Sequence, residues 1–124
     1  MHLEKHVGKG TPYVPSPILT GTRLLFTAGN SEVLSGVDAS TGNALFDPKR
    51  LSGVGSLYSS PVAANRHLYV TGRDGNTLVL KDNESLEVVA TNQLNDAIDA
   101  SLVAVGNQLF LRSWAKLYCI EQAK

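Results

Sequence analysis

Metal binding is the first chemistry to test, because histidine and cysteine side chains are common metal ligands. The chain has three histidines, His2, His6 and His67, and one cysteine, Cys119. His2 and His6 would share a face only on a helix, and neither stands at metal-ligand spacing from His67 or Cys119. A lone cysteine in a strand-like apolar run is expected to be a small buried residue. The sequence therefore predicts no metal site and no disulfide within the chain.

Nucleophilic catalysis is the second possibility, and the serines are its candidates. Ser59, Ser60 and Ser101 stand just ahead of apolar runs. No G-x-S-x-G turn surrounds them, and no motif places a His–Asp pair to activate them. We therefore interpret them as small polar residues of inner strands. The sequence predicts no catalytic residue and a protein that is not an enzyme.

Aspartates and tyrosines ahead of the same apolar runs are candidates for binding. Asp96 and Asp99 could line the mouth of a channel, as ligands of calcium or of another molecule. Tyr13 and Tyr58 suit contact with protein or carbohydrate, with core packing as the alternative. The candidate binding face is Tyr13, Leu57, Tyr58, Asp96 and Asp99.

A threefold repeat sets the positions of all these candidates. Each copy begins with a serine, at 16, 60 and 101, so that the repeat periods are 44 and 41 residues. A turn residue follows each serine five positions later, as Gly21, Asn65 or Gly106, and a second apolar run begins eight positions after the serine. Repeats of roughly 40–50 residues built from short strands are typical of β-propeller blades.

Short apolar runs between glycine, asparagine, aspartate and proline predict strands and turns and no helix. The predicted strands are 13–19, 24–28, 32–37 and 44–46 in the first copy, 57–63, 67–71, 77–81 and 86–90 in the second, and 100–105, 108–112 and 117–121 in the third. Asp38 is expected to accept backbone N–H groups across its turn. Gly42 and Gly75 are expected to take left-handed conformations.

The fold predicted from this pattern is all-β, with about three four-stranded antiparallel blades of a partial propeller. The blades span approximately 11–50, 55–92 and 97–121, within one domain of residues 1–124. The third copy lacks a fourth strand, which would leave an unpaired sheet edge. Residues 1–10 are a linker or a closing strand, with 2–7 as the candidate strand, or else the outer strand of a preceding blade.

Charge and hydropathy exclude several classes of partner. Eleven acidic residues balance eleven scattered basic ones, so that no concentrated positive field would attract nucleic acid. No apolar stretch is long enough for a membrane span, and residues 1–10 have no signal-peptide core. The composition leaves the compartment unknown.

Several motifs resemble the pyrroloquinoline-quinone-like, or BamB-like, β-propeller repeat family. The matching segments are Ser16-Pro17, Val37 to Gly42, Leu45-Phe46, Ser60-Pro61 and Asp74-Gly75, and residues 90–120 are similar to the last blades of such bacterial proteins. The resemblance implies a periplasmic or cell-envelope parent protein and a non-enzymatic binding or scaffolding role, with no cofactor. The alternative is a fragment of a quinoprotein, pyrroloquinoline-quinone-dependent dehydrogenase-like propeller.

Two departures from the family weaken that alternative. The usual tryptophan position holds Phe46, and one cysteine cannot form the vicinal disulfide of the dehydrogenases. Three blades also leave two broad apolar faces without a neighbour. We therefore expect self-association that completes the ring, or contact with the remaining blades of a longer propeller. The protein partner stays unknown.

Overall fold

Residues 10–121, the part of the chain that the computed structural model describes, contain eleven strands and no helix. The strands are β1 (Ile18–Thr20), β2 (Arg23–Thr27), β3 (Val33–Asp38), β4 (Lys49–Arg50), β5 (Val62–Ala64), β6 (His67–Thr71), β7 (Asn76–Lys81), β8 (Val88–Gln93), β9 (Val103–Val105), β10 (Gln108–Arg112) and β11 (Leu117–Glu121). Nothing in residues 10–121 is a helix that could cross a membrane.

The strands form three antiparallel sheets in chain order. Strands β1 to β4 are blade 1, β5 to β8 are blade 2, and β9 to β11 are blade 3. The predicted all-β fold of consecutive blades is confirmed, and so is the absence of a fourth strand from the third sheet within the described residues. The closing strand predicted for residues 2–7 lies outside the described residues.

The β-hairpins follow the repeated turn residues. Asn65 and Arg66 both have positive φ, at 52° and 63°, which is the type I′ geometry that matches strand twist. Gly21 and Gly106 take φ values of 60° and 59° at the equivalent turns. The Asp38 carboxylate accepts the Ser40 backbone N–H at 2.8 Å, as predicted for that turn.

Two groups of predicted strands were wrong in extent. The inner strands are shorter than expected, because the residues ahead of them bond to neighbouring loops rather than to a ladder; Leu57 N–H, for example, donates to Asn30 O. The fourth strand of blade 1 is β4, not residues 44–46. Ala44 forms one isolated bridge with Val37, and the Phe46 ring packs instead over Gly36, which has no side chain to exclude it.

The apolar core lies between the blades, because alternate residues of a strand face opposite sides of its sheet. Leu68 and Val70 of β6 are buried against blade 1, in one cluster with Leu25. Tyr69, between them, is buried against blade 3, in a second cluster with Leu111. Within residues 10–121, blade 2 is therefore covered on both faces, whereas blades 1 and 3 are each covered on one.

A series of serine hydrogen bonds connects the segments just ahead of β1, β5 and β9, the inner strands of the three blades. The Ser16 backbone N–H donates to Ser60 Oγ at 2.9 Å, and the Ser60 backbone N–H donates to Ser101 Oγ at 2.8 Å. These pairs are 44 and 41 residues apart, which are the repeat periods. The repeated serine thus forms a hydrogen bond between consecutive blades. In both pairs the backbone N–H donor belongs to the earlier blade.

Further polar contacts join the blades away from the serine bonds. Arg23 Nη2 donates to Asp82 Oδ1 at 2.6 Å, and Thr20 Oγ1 donates to Asp82 Oδ2 at 2.6 Å, so that blade 1 is held to the β7–β8 turn of blade 2. Asn65 Nδ2 donates to the Gly106 carbonyl at 3.0 Å, which joins the hairpins of blades 2 and 3.

The single cysteine does not lie in the core. Tyr118 and Ile120 of β11 pack against blade 2, so the alternating side chain of Cys119 faces away from it and is exposed. The expectation of a buried cysteine was wrong, because the alternation of β11 places Cys119 on the face of blade 3 that no other described blade covers.

Candidate binding face

Tyr58 and Asp99, two of the residues predicted to bind, each follow a buried residue. They lie in the segments just ahead of the inner strands of blades 2 and 3, which we call the lead-in segments. Leu57 and Ile98, each three positions ahead of a repeat serine, have no exposed surface. In extended backbone the next side chain points the opposite way. Tyr58 and Asp99 therefore lie at the protein surface, at equivalent positions of consecutive blades.

Arg73, in the turn after β6, connects these two residues. Its guanidinium carbon lies 4.0 Å from the centre of the Tyr58 ring, in cation–π contact. Its Nε donates to Asp99 Oδ1 at 2.6 Å, and Trp114 Nε1 donates to Asp99 Oδ2 at 3.0 Å. We call Tyr58, Arg73, Asp99 and Trp114 the Arg73 cluster.

Backbone bonds hold the turns that carry the cluster. Arg73 N–H donates to Ser56 O at 2.8 Å, and Trp114 N–H donates to Ala97 O at 2.9 Å. Gly29 N–H makes the corresponding bond in blade 1, to Thr11 O at 2.7 Å. The same turn is therefore fastened to the same lead-in segment in every blade.

The sequence motifs gave no role in binding to Arg73 or Trp114. Each follows its repeat serine by thirteen positions, as Gly29 follows Ser16 in blade 1. This shared spacing could have identified the thirteenth position after the serine as one whose backbone contacts a lead-in segment. The residue types could not, because glycine, arginine and tryptophan share no chemistry.

The cluster keeps its ion pair charged. The hydrogen bond from Arg73 holds the pKa of Asp99 below its ordinary value, with a further contribution from the Trp114 bond, and partial desolvation opposes both. The bond to Asp99 likewise raises the pKa of Arg73. The cluster offers aromatic surfaces beside an ion pair whose two charged groups are paired with each other.

The other predicted binding residues lie elsewhere. Leu57 packs in the core between blades 1 and 2, so its placement on a binding face was wrong; it touches no solvent. Asp96 accepts a hydrogen bond from the Ser113 hydroxyl, beside the Arg73 cluster. Tyr13 lies on blade 1, outside the cluster, with 82% of its surface exposed.

The described residues contain no group of three histidine, cysteine or acidic side chains close enough to hold a metal ion. His2 and His6 lie outside the described residues. Of the two aspartates considered as calcium ligands, Asp99 has both oxygens bonded to Arg73 and Trp114.

Acid should weaken the Arg73 cluster. Because the folded-state pKa of Asp99 is depressed, ionised Asp99 stabilises the fold fully above its unfolded pKa of about 3.9, and this contribution disappears as the pH falls through the folded value. We expect Asp99→Asn to lower the free energy of unfolding at pH 7, and its difference from the wild-type protein to shrink as the pH falls into the acid range. Urea unfolding of both proteins across this range measures the effect. Asp47→Asn, in an exposed segment, is the control, and a pH-independent deficit for Asp99→Asn would contradict the prediction.

The fold and the interlocking blades define a β-propeller module, and comparison with solved structures agrees. BamB from Moraxella catarrhalis superposes with a TM-score of 0.70 and 18% sequence identity, over 94% of this chain and 35% of that one. The quinohemoprotein alcohol dehydrogenase ADHIIG from Pseudomonas putida HK5 gives 0.62 and 12%, over 86% and 17%. The Pan2 WD40 domain from Neurospora crassa gives 0.59 and 17%, over 81% and 29%.

These likenesses confirm, at the level of the fold, the resemblance inferred from the sequence motifs. The chain spans about a third or less of each of these solved structures. No protein-family model and no curated protein matches the sequence.

Proposed function

We propose that this chain is a non-enzymatic binding and scaffolding module that associates with a second copy of itself, blade 3 of one copy docking on blade 1 of the next. The observation that supports it is one repeat position occupied by Tyr13, Leu57 and Ile98. Leu57 and Ile98 have no exposed surface where a preceding blade covers them, and Tyr13, where none does, is 82% exposed. The open face of blade 1 thus exposes a large side chain, Tyr13, that a docked blade would cover.

The open face of blade 3 carries groups that match the open face of blade 1. The Ser101 backbone N–H stands at the repeat position from which Ser16 and Ser60 donate to the next blade. In a dimer, Ser16 Oγ of the second copy would accept the hydrogen bond from this N–H. Arg73 crosses from its own blade to Asp99 of the following one. Trp114, at the equivalent position of blade 3, would in the same way meet Val14 of the second copy.

Both open faces carry exposed apolar side chains, which monomers rarely leave together. Val103 and Val105 of β9 are exposed on blade 3, as are Leu19 and Val14 on blade 1. Burying them gives the association its driving force. Two copies joined through two such contacts would form a closed, twofold-symmetric ring of six blades.

Light scattering coupled to size exclusion tests the proposal. We expect a dimer at micromolar concentration, and at least tenfold weaker association for Tyr13→Glu and for Val103→Glu, because each buries a charge in one of the two faces. Ser52→Glu, which adds the same charge at an exposed residue between blades 1 and 2, is the control.

Mixing the two variants tests the head-to-tail arrangement. A mixture of Tyr13→Glu and Val103→Glu retains one intact contact, between the unchanged blade 3 face of the first and the unchanged blade 1 face of the second. The mixture should associate where each variant alone does not. A wild-type protein that stays a well-folded monomer would overturn the proposal and favour docking on the remaining blades of a longer propeller.

A further inference from the structure

We propose that the cavity between blades 2 and 3 binds a small organic amine, which has a positively charged amino group at one end and an apolar body. The site lies at a junction within one chain. It is therefore separate from the outer faces of blades 1 and 3 through which two copies are proposed to associate, and it does not depend on that association.

The cavity has the size and the walls of a site for a small ligand. Its volume is about 270 Å³, and residues of β6, β7 and β8 line it from blade 2. Val79 and Val89 of blade 2, with Leu109 and Ile120 of blade 3, give it apolar walls. Small-molecule pockets begin at about 300 Å³. The cavity therefore suits a small ligand whose body is apolar.

Two asparagine side chains at the same cavity, Asn65 and Asn107, are held by hydrogen bonds from their nitrogen atoms. Asn65 Nδ2 donates to the Gly106 carbonyl at 3.0 Å, and Asn107 Nδ2 donates to Glu121 Oε1 at 3.1 Å. These bonds fix which end of each amide is nitrogen. They leave the two Oδ1 atoms as acceptors for a ligand.

His67, which also lines the cavity, supplies a third acceptor. Its Nδ1 lies 2.8 Å from the backbone carbonyl oxygen of Asn65. A carbonyl oxygen can only accept, so Nδ1 carries the ring hydrogen and Nε2 of the neutral ring has a lone pair. The Tyr69 ring lies beside it, with the two ring centres 6.4 Å apart. The cavity thus combines three acceptors with two aromatic rings.

The charges around the cavity favour a cation. Among the described residues that line it, none is a lysine or an arginine that would repel a positive ligand. The Glu121 carboxylate, which accepts the hydrogen bond from Asn107, adds negative charge near one end. An ammonium group donates three hydrogen bonds, and aromatic rings attract cations. A carboxylate ligand would instead bring more lone pairs toward groups that already accept.

Three probe ligands with the same phenyl body test this chemistry on the full wild-type chain. Phenethylamine carries an ammonium group, phenethyl alcohol a neutral hydroxyl and hydrocinnamate a carboxylate. Titrations followed by backbone amide NMR shifts measure each affinity. We expect phenethylamine to bind with a Kd of about 1 mM or tighter, and about tenfold more tightly than hydrocinnamate. The largest shifts should lie at Val79, Val89 and Leu109.

Two variants place the binding in the cavity. His67→Phe keeps an aromatic ring but removes the Nε2 acceptor, and we expect about tenfold weaker binding of phenethylamine. Ala90 is an exposed residue of β8 that lines the cavity, so Ala90→Phe should fill the space and abolish binding of all three probes. Ala44→Phe, which makes the same change at an exposed residue of blade 1, is the control.

Each outcome decides the question. Preference for the amine, with binding lost in Ala90→Phe and kept in Ala44→Phe, supports the site. Binding that survives Ala90→Phe, hydrocinnamate affinity equal to that of the amine, or no binding to the wild-type chain overturns it. An amine affinity unchanged in His67→Phe also overturns it, because the proposed acceptor would then have no part in binding. Light scattering reports association separately, so that either proposal can fail while the other stands.

Discussion

Replacing Gly75 with alanine is expected to lower the free energy of unfolding by about 3 kcal/mol or more. Gly75 has a φ of +88°, which costs a residue with a side chain about 1–2 kcal/mol. An added Cβ would also lie closer than 3.0 Å to the backbone carbonyl oxygens of Leu94 and Asp96, which cannot move aside as a side chain can.

The contact matters because it joins two blades. Leu94 N–H donates to Gly75 O at 3.0 Å, so the chain leaving β8 is fastened to the β6–β7 turn before it enters blade 3. Displacing this segment would also disturb the nearby Arg73 cluster. Urea unfolding measures the loss.

Gly106→Ala is the matched control. Gly106 also has positive φ, at +59°, but a Cβ there would meet nothing within 4 Å. We expect it to lose only the conformational part, about 1 kcal/mol. Equal losses for the two variants would show that backbone conformation, and not the close approach of the Leu94–Asp96 segment, sets the cost at Gly75.

Leu57→Ala is expected to cost about 3 kcal/mol, within the range of about 2–5 kcal/mol for a leucine truncated in a packed core. Leu57 has no exposed surface and belongs to the cluster that joins blades 1 and 2, with Leu25 and Leu68. Truncation would leave a cavity at the junction, and both sheets would lose contacts there.

Tyr13→Ala changes the same repeat position where no blade covers it. In the Val103→Glu background, expected to be monomeric, its effect on the free energy of unfolding should stay within about 0.5 kcal/mol. Denaturant unfolding of the two variants gives the comparison. A large loss for Tyr13→Ala in the monomer would mean that Tyr13 already packs within its own chain.

The parts of this fold that repeat could be predicted from the sequence. Strands β6, β10 and β11 have the predicted bounds, since tight turns fix the hairpins locally. The repeat period gave the blades, and the structure adds the reason for the serine at its head. The hydrogen bonds of Ser16 and Ser60 cross between blades, which a pattern within one blade does not reveal.

The predictions that were wrong concern residues whose positions depend on neighbouring strands and blades rather than on the local sequence pattern. Residues 44–46 have apolar character suitable for a strand, but Phe46 is used to cover Gly36, and pairing passes to β4. Cys119 was expected in a core that the described blade 3 does not have on that side. Tyr58 and Asp99 were predicted for a binding face; Arg73, whose side chain crosses between blades to join them, was not.

The Arg73 cluster also makes the junction between blades 2 and 3 chemically different from the other junctions. The junction between blades 2 and 3 is closed by an ion pair, whereas the open junction would set the indole of Trp114 against the isopropyl group of Val14. At the junction of blades 1 and 2 the position of Arg73 and Trp114 is Gly29, which has no side chain to set against Tyr58. Sheets that are similar in shape are thus distinguished by the chemistry of one repeat position, which holds glycine, arginine or tryptophan.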